Sequence, residues 1–184
     1  MTWLVRALDV DETRKTRATV EPEIYIQRLL PIDALRIRGR HNALNAMAAL
    51  ALASTTGAPL AAMLYALREY RGEPHRVSSV AVLQDVEYID DSKGTNVGAT
   101  VAAIQSVGAE RRIVLILGGD GKGQDFSPLR LPVQQCVRDV VLIGKDANPL
   151  REILQGVGVP MHDAPSLEVA VRMCQELAQT GDAV

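Results

Sequence analysis

Val86-Glu87-Tyr88-Ile89 runs directly into Asp90-Asp91-Ser92-Lys93-Gly94-Thr95-Asn96, and Ile113-Val114-Leu115-Ile116-Leu117 runs directly into Gly118-Gly119-Asp120-Gly121-Lys122-Gly123. Each is a short strand-like run that ends in a polar loop carrying a lysine, with helix-forming sequence beyond. Strands and helices alternating at this spacing build right-handed crossovers and a mostly parallel sheet, so both loops fall on one edge. That edge collects loop amides and helix N-termini, which favour negative charge, and it is where open α/β sheets bind ligands.

The rhythm extends outward from this pair. Strands are expected at 77–83, 86–89, 112–117, 139–143 and near 159, with helices from Asn96, from about Pro128, over 146–155 and over 166–179. Upstream, Arg71-Gly72-Glu73-Pro74-His75-Arg76 breaks helical periodicity, which places a domain boundary there and divides the chain into 1–75 and 76–184. The first part reads as short strands within 3–8, 20–30 and 35–38, separated by the charged stretch Asp9 to Arg17 and by Pro31. An Ala/Leu/Met-rich helix follows from Asn42 to the Gly57 cap, then a second, Leu60 to Tyr70, opened by Pro59. Gly181-Asp182-Ala183-Val184 reads as a turn entering a further strand, so the chain is expected to be a fragment of a longer protein.

Composition narrows the function. The chain is 47% hydrophobic and 23% charged, as in an ordinary soluble protein. Residues 1–76 carry a net charge of +3 and the rest −5, so neither part has the basic excess of a nucleic-acid binder. Aromatics, at 3%, are too few for base-stacking platforms. Cys136 and Cys174 sit far apart in apolar helical sequence, away from any basic partner, and read as core residues in a reducing cytoplasm. No apolar window is long enough for a membrane span, and a soluble, cytoplasmic protein is expected.

The glycine loop is neither known phosphate loop. A Walker loop needs Lys-Ser/Thr after its second glycine, whereas Gln124-Asp125 follow Gly123; the dinucleotide fingerprint fails because Phe126 stands where its third glycine belongs. A flexible turn and a loop that lets amides approach a ligand, with Lys122 as a point charge, both fit. In the first loop, turn and cap chemistry explains Ser92, Thr95 and Asn96 but not Lys93, which is unfavourable beside a helix N-terminus unless an anion is present. Lysines from both loops therefore point to a carboxylate or phosphate ligand. Asp91, at the strand end, suits a ribose or an amine. Two further clusters, His41-Asn42-x-x-Asn45 at a helix start and Pro74-His75-Arg76 in the hinge-like loop, taken alone read better as a cap and a solvated loop than as a site. His162 is isolated.

In order along the chain, Arg40 to Ala53, Pro74 to Arg76, Asp90 to Thr100 and Leu117 to Lys122 resemble the Mur ligases, which build the peptide of peptidoglycan. Asp90 stands where that family commonly has Asn and Gly94 where it commonly has Ala. The resemblance implies a Rossmann-like C-terminal ligase domain, a mostly parallel sheet flanked by helices, preceded by the end of a central ATPase domain. The phosphate loop, the UDP-binding domain and the Mg2+ ligands would then lie outside this chain. The form Asp-Ser-Lys-x-Thr-Asn further implies an enzyme that uses ATP to add D-glutamate to UDP-N-acetylmuramoyl-L-alanine through an acyl phosphate. Carried over motif by motif, Asn42, Asn45 and His75 would contact the adenine region, Arg76 the phosphates and Asp91 the ribose, with Lys93 close by. Thr95 and Lys122 would hold the D-glutamate carboxylates. A monomer is expected, with no catalytic residue in this chain and no nucleic-acid or membrane partner. Two alternatives stand beside this reading: a non-catalytic module binding a nucleotide or acidic metabolite, and a sister ligase such as a folylpolyglutamate synthase.

Overall fold

The structure is a computed structural model that describes residues 2–9 and 24–184. Most of the charged stretch Asp9 to Arg17, and the start of the strand expected over 20–30, lie outside the described residues. The chain forms two compact units, Met1–Arg71 and Gly72–Val184.

In the first unit an antiparallel ladder joins β1 (Trp3–Asp9) to β2 (Ile24–Pro31). The strand expected at 35–38 does not form. A 3-10 turn at Ile32–Ala34 follows Pro31 instead and delivers Leu35 to the core, where burial of its side chain outweighs its β-forming neighbours. Helix α1 (Arg40–Ser54) buries Ala43, Ala46 and Leu50, a single stripe at helical spacing, against Leu4 and Leu35. Helix α2 (Leu60–Glu69) adds Met63, Leu64 and Leu67 to the same cluster.

The second unit is mixed α/β. A hairpin of β3 (Ser78–Leu83) and β4 (Val86–Asp90) is antiparallel, while β5 (Ile113–Gly118), β6 (Val137–Ile143) and β7 (Met161–Asp163) run parallel in that order. Helices α3 (Val97–Gly108), α4 (Arg130–Cys136), α5 (Ala147–Leu154) and α6 (Leu167–Leu177) supply the crossovers. Helix α4 is preceded by a 3-10 turn at Ser127–Leu129.

The hairpin and the parallel strands are joined by residues 182–184, which lie between β4 and β5 and pair parallel with both. Val184 N–H donates to Glu87 O and Val114 N–H to Ala183 O, each at 2.8 Å. Burial follows alternation along the strands. Val140 and Leu142 face the core shared with Ile104, Leu129, Val133, Leu150 and Leu154, while Val141 and Val114 face Ala170 and Cys174 of α6. Asp182, nearly buried, is held by Arg138 through two hydrogen bonds of 2.7 and 3.0 Å. Burial pushes the Asp182 carboxyl up, but the Arg138 guanidinium and the Gln179 N–H outweigh it and hold it below its ordinary value.

Candidate functional site

The first loop is laced to the segment before β3. His75 Nδ1 stands 2.6 Å from Asp90 Oδ2, Val77 N–H donates to Asp91 Oδ1 at 3.1 Å, and Lys93 N–H donates to His75 O at 3.1 Å. The Ser92 N–H, at 2.9 Å, and then the His75 ring pull the Asp90 carboxyl down to about 2. His75 and Val77 both sit at positive φ, 65° and 48°, and for β-branched Val77 this is a strained backbone held by its surroundings. His75, Arg76, Asp91 and Lys93 thus come together in one knot of two loops. The turn closes with Gly94 N–H on Asp91 O at 2.7 Å. A Cβ on Gly94 would lie 2.5 Å from Asp91 Oδ2, so an alanine there would turn the Asp91 carboxylate. Asn96 caps α3, its Oδ1 accepting the Ala99 N–H at 2.9 Å.

The second loop is pinned to the β6–α5 turn. Gly118, at φ 146°, passes so close to β6 that a Cβ would stand 1.9 Å from Ile143 O. Asp146 donates its N–H to Gly119 O at 3.2 Å, and its Oδ2 accepts the Gly121 N–H. Although Asp146 occupies the N-cap of α5, its side chain makes no capping bond there and serves this loop instead. Lys122, at φ 52°, donates its N–H to Asp120 Oδ1 at 3.0 Å, and Lys145 Nζ stands 3.5 Å from Asp120 Oδ2. The Lys122 N–H and then the Lys145 charge hold the Asp120 carboxyl below its ordinary value.

One side chain ties the loops together. Gln124 Oε1 accepts the Val97 N–H at 3.1 Å, and Gln124 Nε2 donates to Gly121 O at 2.9 Å and to Thr95 O at 3.4 Å. Thr95 and Lys122, from separate strand ends, therefore flank one linked frame. Asn42 and Asn45 belong to the first unit, on one face of α1, where Asn42 Nδ2 donates to Arg38 O at 2.7 Å and Asn45 Nδ2 to Asn42 Oδ1 at 3.4 Å.

Sequence reasoning missed Gln124, Asp146 and Lys145. Gln124 has no local signature for its bonds to Val97 and Thr95, which lie far along the chain, and Asp146 is only the first position of the helix expected over 146–155. Cys174 is wholly buried, and burial pushes its thiol up to about 12; Cys136 packs against the other core face. His162, given no role from sequence, pairs with Asp139 at 3.0 Å. Among the described residues no helix is long and apolar enough to cross a membrane, and no cluster of three or more His, Cys, Asp or Glu could hold a metal ion.

Two polar loops at the C-terminal ends of strands are stitched together at one edge of a mixed α/β sheet, the place where α/β folds bind ligands. The family profile described as Mur ligase, glutamate ligase domain, matches residues 75–184, and the chain belongs to that family. Among individual relatives, the chain is 63% identical over 184 residues to the UDP-N-acetylmuramoylalanine--D-glutamate ligase of Polaromonas sp. (strain JS666 / ATCC BAA-500), covering 100% of this chain and 31% of that protein. It is 59% identical over 184 residues to the protein of the same name from Albidiferax ferrireducens, covering 100% of this chain and 36% of that one. The chain thus spans about a third of the length of these relatives. Its fold is similar to UDP-N-acetylmuramate-alanine ligase MurC from Thermotoga maritima (TM-score 0.64, 20% identity, 89% of this chain and 37% of that one). It is also similar to MurF from Acinetobacter baumannii (TM-score 0.61, 20% identity, 84% and 34%).

Proposed function

We propose that this chain is the C-terminal part of an ATP-dependent amide ligase that joins D-glutamate to UDP-N-acetylmuramoyl-L-alanine in peptidoglycan synthesis. Residues 1–75 are the end of its central ATP-binding domain and 76–184 its C-terminal ligase domain. The observation that carries this reading is the linked frame that Thr95 and Lys122 flank at the sheet edge, and the 59 to 63% identity of the whole chain to relatives named as D-glutamate ligases supports it. In the reaction, ATP transfers its γ-phosphoryl group to the alanyl carboxylate and releases ADP. The amine of D-glutamate attacks the acyl carbon, phosphate leaves with the bonding pair, and the amine proton passes to solvent.

What this chain contributes is binding and placement. Thr95 and Lys122 hold the carboxylates of D-glutamate, so the amine enters with its charge partner fixed. Asp91, anchored by Val77 N–H, receives the ribose, with Lys93 beside it. His75 contacts the adenine and Arg76 approaches the phosphates. A domain that brings these groups over the acyl phosphate also keeps water from it. Phosphoryl transfer of this kind calls for Mg2+ to neutralise the transferring group, and the described residues do not fit that ion, so no step on this chain runs through it. The enzyme works as a monomer in the cytoplasm, where its nucleotide substrates are.

An amino-acid panel assayed by ADP release in the intact enzyme tests the proposal. D-Glutamate alone should support turnover; turnover with another amino acid but not D-glutamate would assign the chain to a sister ligase.

A further inference from the structure

The geometry points to Gln124 as a positioning residue that sets the spacing between Thr95 and Lys122, and so the fit of the amino-acid substrate; this rests on the proposed function. The side-chain amide makes three bonds to two loops that belong to different strand ends. Its oxygen accepts the Val97 N–H at 3.1 Å; its nitrogen donates to Gly121 O at 2.9 Å and to Thr95 O at 3.4 Å. The orientation of the amide is fixed by chemistry: the group facing a backbone N–H must be the acceptor, and the group facing two carbonyls must be the donor. Gln124 is itself held, because its own N–H donates to Gly121 O at 3.1 Å.

The consequence falls on the ligand-facing residues. Gly121 directly precedes Lys122, and the Thr95 carbonyl is the next group along. Asp146 anchors the other side of the same residue, accepting the Gly121 N–H. A Cβ on Gly121 would lie 2.6 Å from the Phe126 ring, so the loop is also closed from below. The second loop is therefore fixed to the β6–α5 turn by Asp146, and the first loop is fixed to the second by Gln124. Gln124 also occupies the first free amide of α3, leaving Asn96 to cap the third. It touches no proposed substrate atom in this arrangement and acts through Thr95 and Lys122.

Two variants separate positioning from simple support of the helix. Gln124→Leu keeps the bulk and removes every side-chain bond. Gln124→Glu keeps the acceptor for Val97 N–H but sets an oxygen against both carbonyls, so it caps the helix and opens the bridge. In the intact enzyme both should raise KM for D-glutamate at least tenfold and leave KM for ATP within twofold. If Gln124→Glu behaves as the unsubstituted enzyme, or if kcat falls while both KM values hold, Gln124 only supports the helix and the inference is overturned. An independent arm needs no variant: in the unsubstituted protein the two Gln124 side-chain amide protons should show NOEs to Thr95 and Gly121. Absent NOEs would also overturn the inference. An enzyme indifferent to D-glutamate overturns the proposed function instead, and with it the ligand half of this inference.

Discussion

Asp90 carries a pH dependence that a single substitution can expose. Its carboxyl is held near 2 by the Ser92 N–H and the His75 ring, against an ordinary value of 3.8. A depressed folded value means that the stabilisation is fully present above the ordinary value and is lost as pH falls through about 2. Chemical denaturation should therefore find Asp90→Asn less stable than the unsubstituted chain at pH 6 by about 1 kcal/mol, the worth of a charged hydrogen bond at a partly exposed site. The gap should close as pH drops from the ordinary carboxylate range toward 2; a pH-independent gap contradicts the assignment. Gly118 makes a second prediction. With Ile143 O 1.9 Å from the added Cβ, Gly118→Ala forces β5 and β6 apart and should cost more than about 2 kcal/mol of unfolding free energy, read from the urea midpoint. A midpoint within error of the unsubstituted chain would contradict so close an approach of the two strands.

Strands, helices and loop edges are expected from periodicity, and the element pattern of the second unit follows it closely. Val86 to Ile89 and Ile113 to Leu117 each form a strand that ends where its loop begins, because the β-branched runs stop at glycine and aspartate. Asn96 caps its helix as its side chain allows. What periodicity does not show is pairing across long separations. The antiparallel sense of β3 and β4 is set by a two-residue turn in which Gln84 and Asp85 both take positive φ, with no glycine to announce it. The absent strand at 35–38 shows the same limit, since the burial of Leu35 outweighs the preference of β-branched Ile37. Asp182 reads from sequence only as part of a turn, yet it is a buried carboxylate seated on Arg138, and this pair fixes the register of residues 182–184 between β4 and β5. Arg138→Ala should destabilise the chain by about 3 to 5 kcal/mol, because it strands a buried charge. A loss below about 1 kcal/mol in denaturant melts would place the register elsewhere.

For the molecule as a whole, the sequence motifs single out the residues proposed for the site, Asp91, Lys93, Thr95 and Lys122, because each sits where a strand opens into a loop. Gln124, which links the two loops, stays hidden because its bonds to Val97 and Thr95 span 27 and 29 residues, and Asp146, which pins the second loop, because its bond to Gly121 spans 25. The chain spans about a third of its relatives' length, and in the proposed reaction it binds and orients rather than catalyses. The 184-residue chain by itself should therefore release no ADP from ATP in the presence of both other substrates; turnover would mean that the phosphate site lies within it. In the proposed function the glycine loop holds D-glutamate through Lys122. Steady-state kinetics of Lys122→Ala in the intact enzyme test it most directly. Losing one charged hydrogen bond of about 1.5 to 3 kcal/mol should raise KM for D-glutamate roughly ten- to a hundredfold while KM for ATP stays put. An unchanged KM for D-glutamate in a folded variant would contradict it.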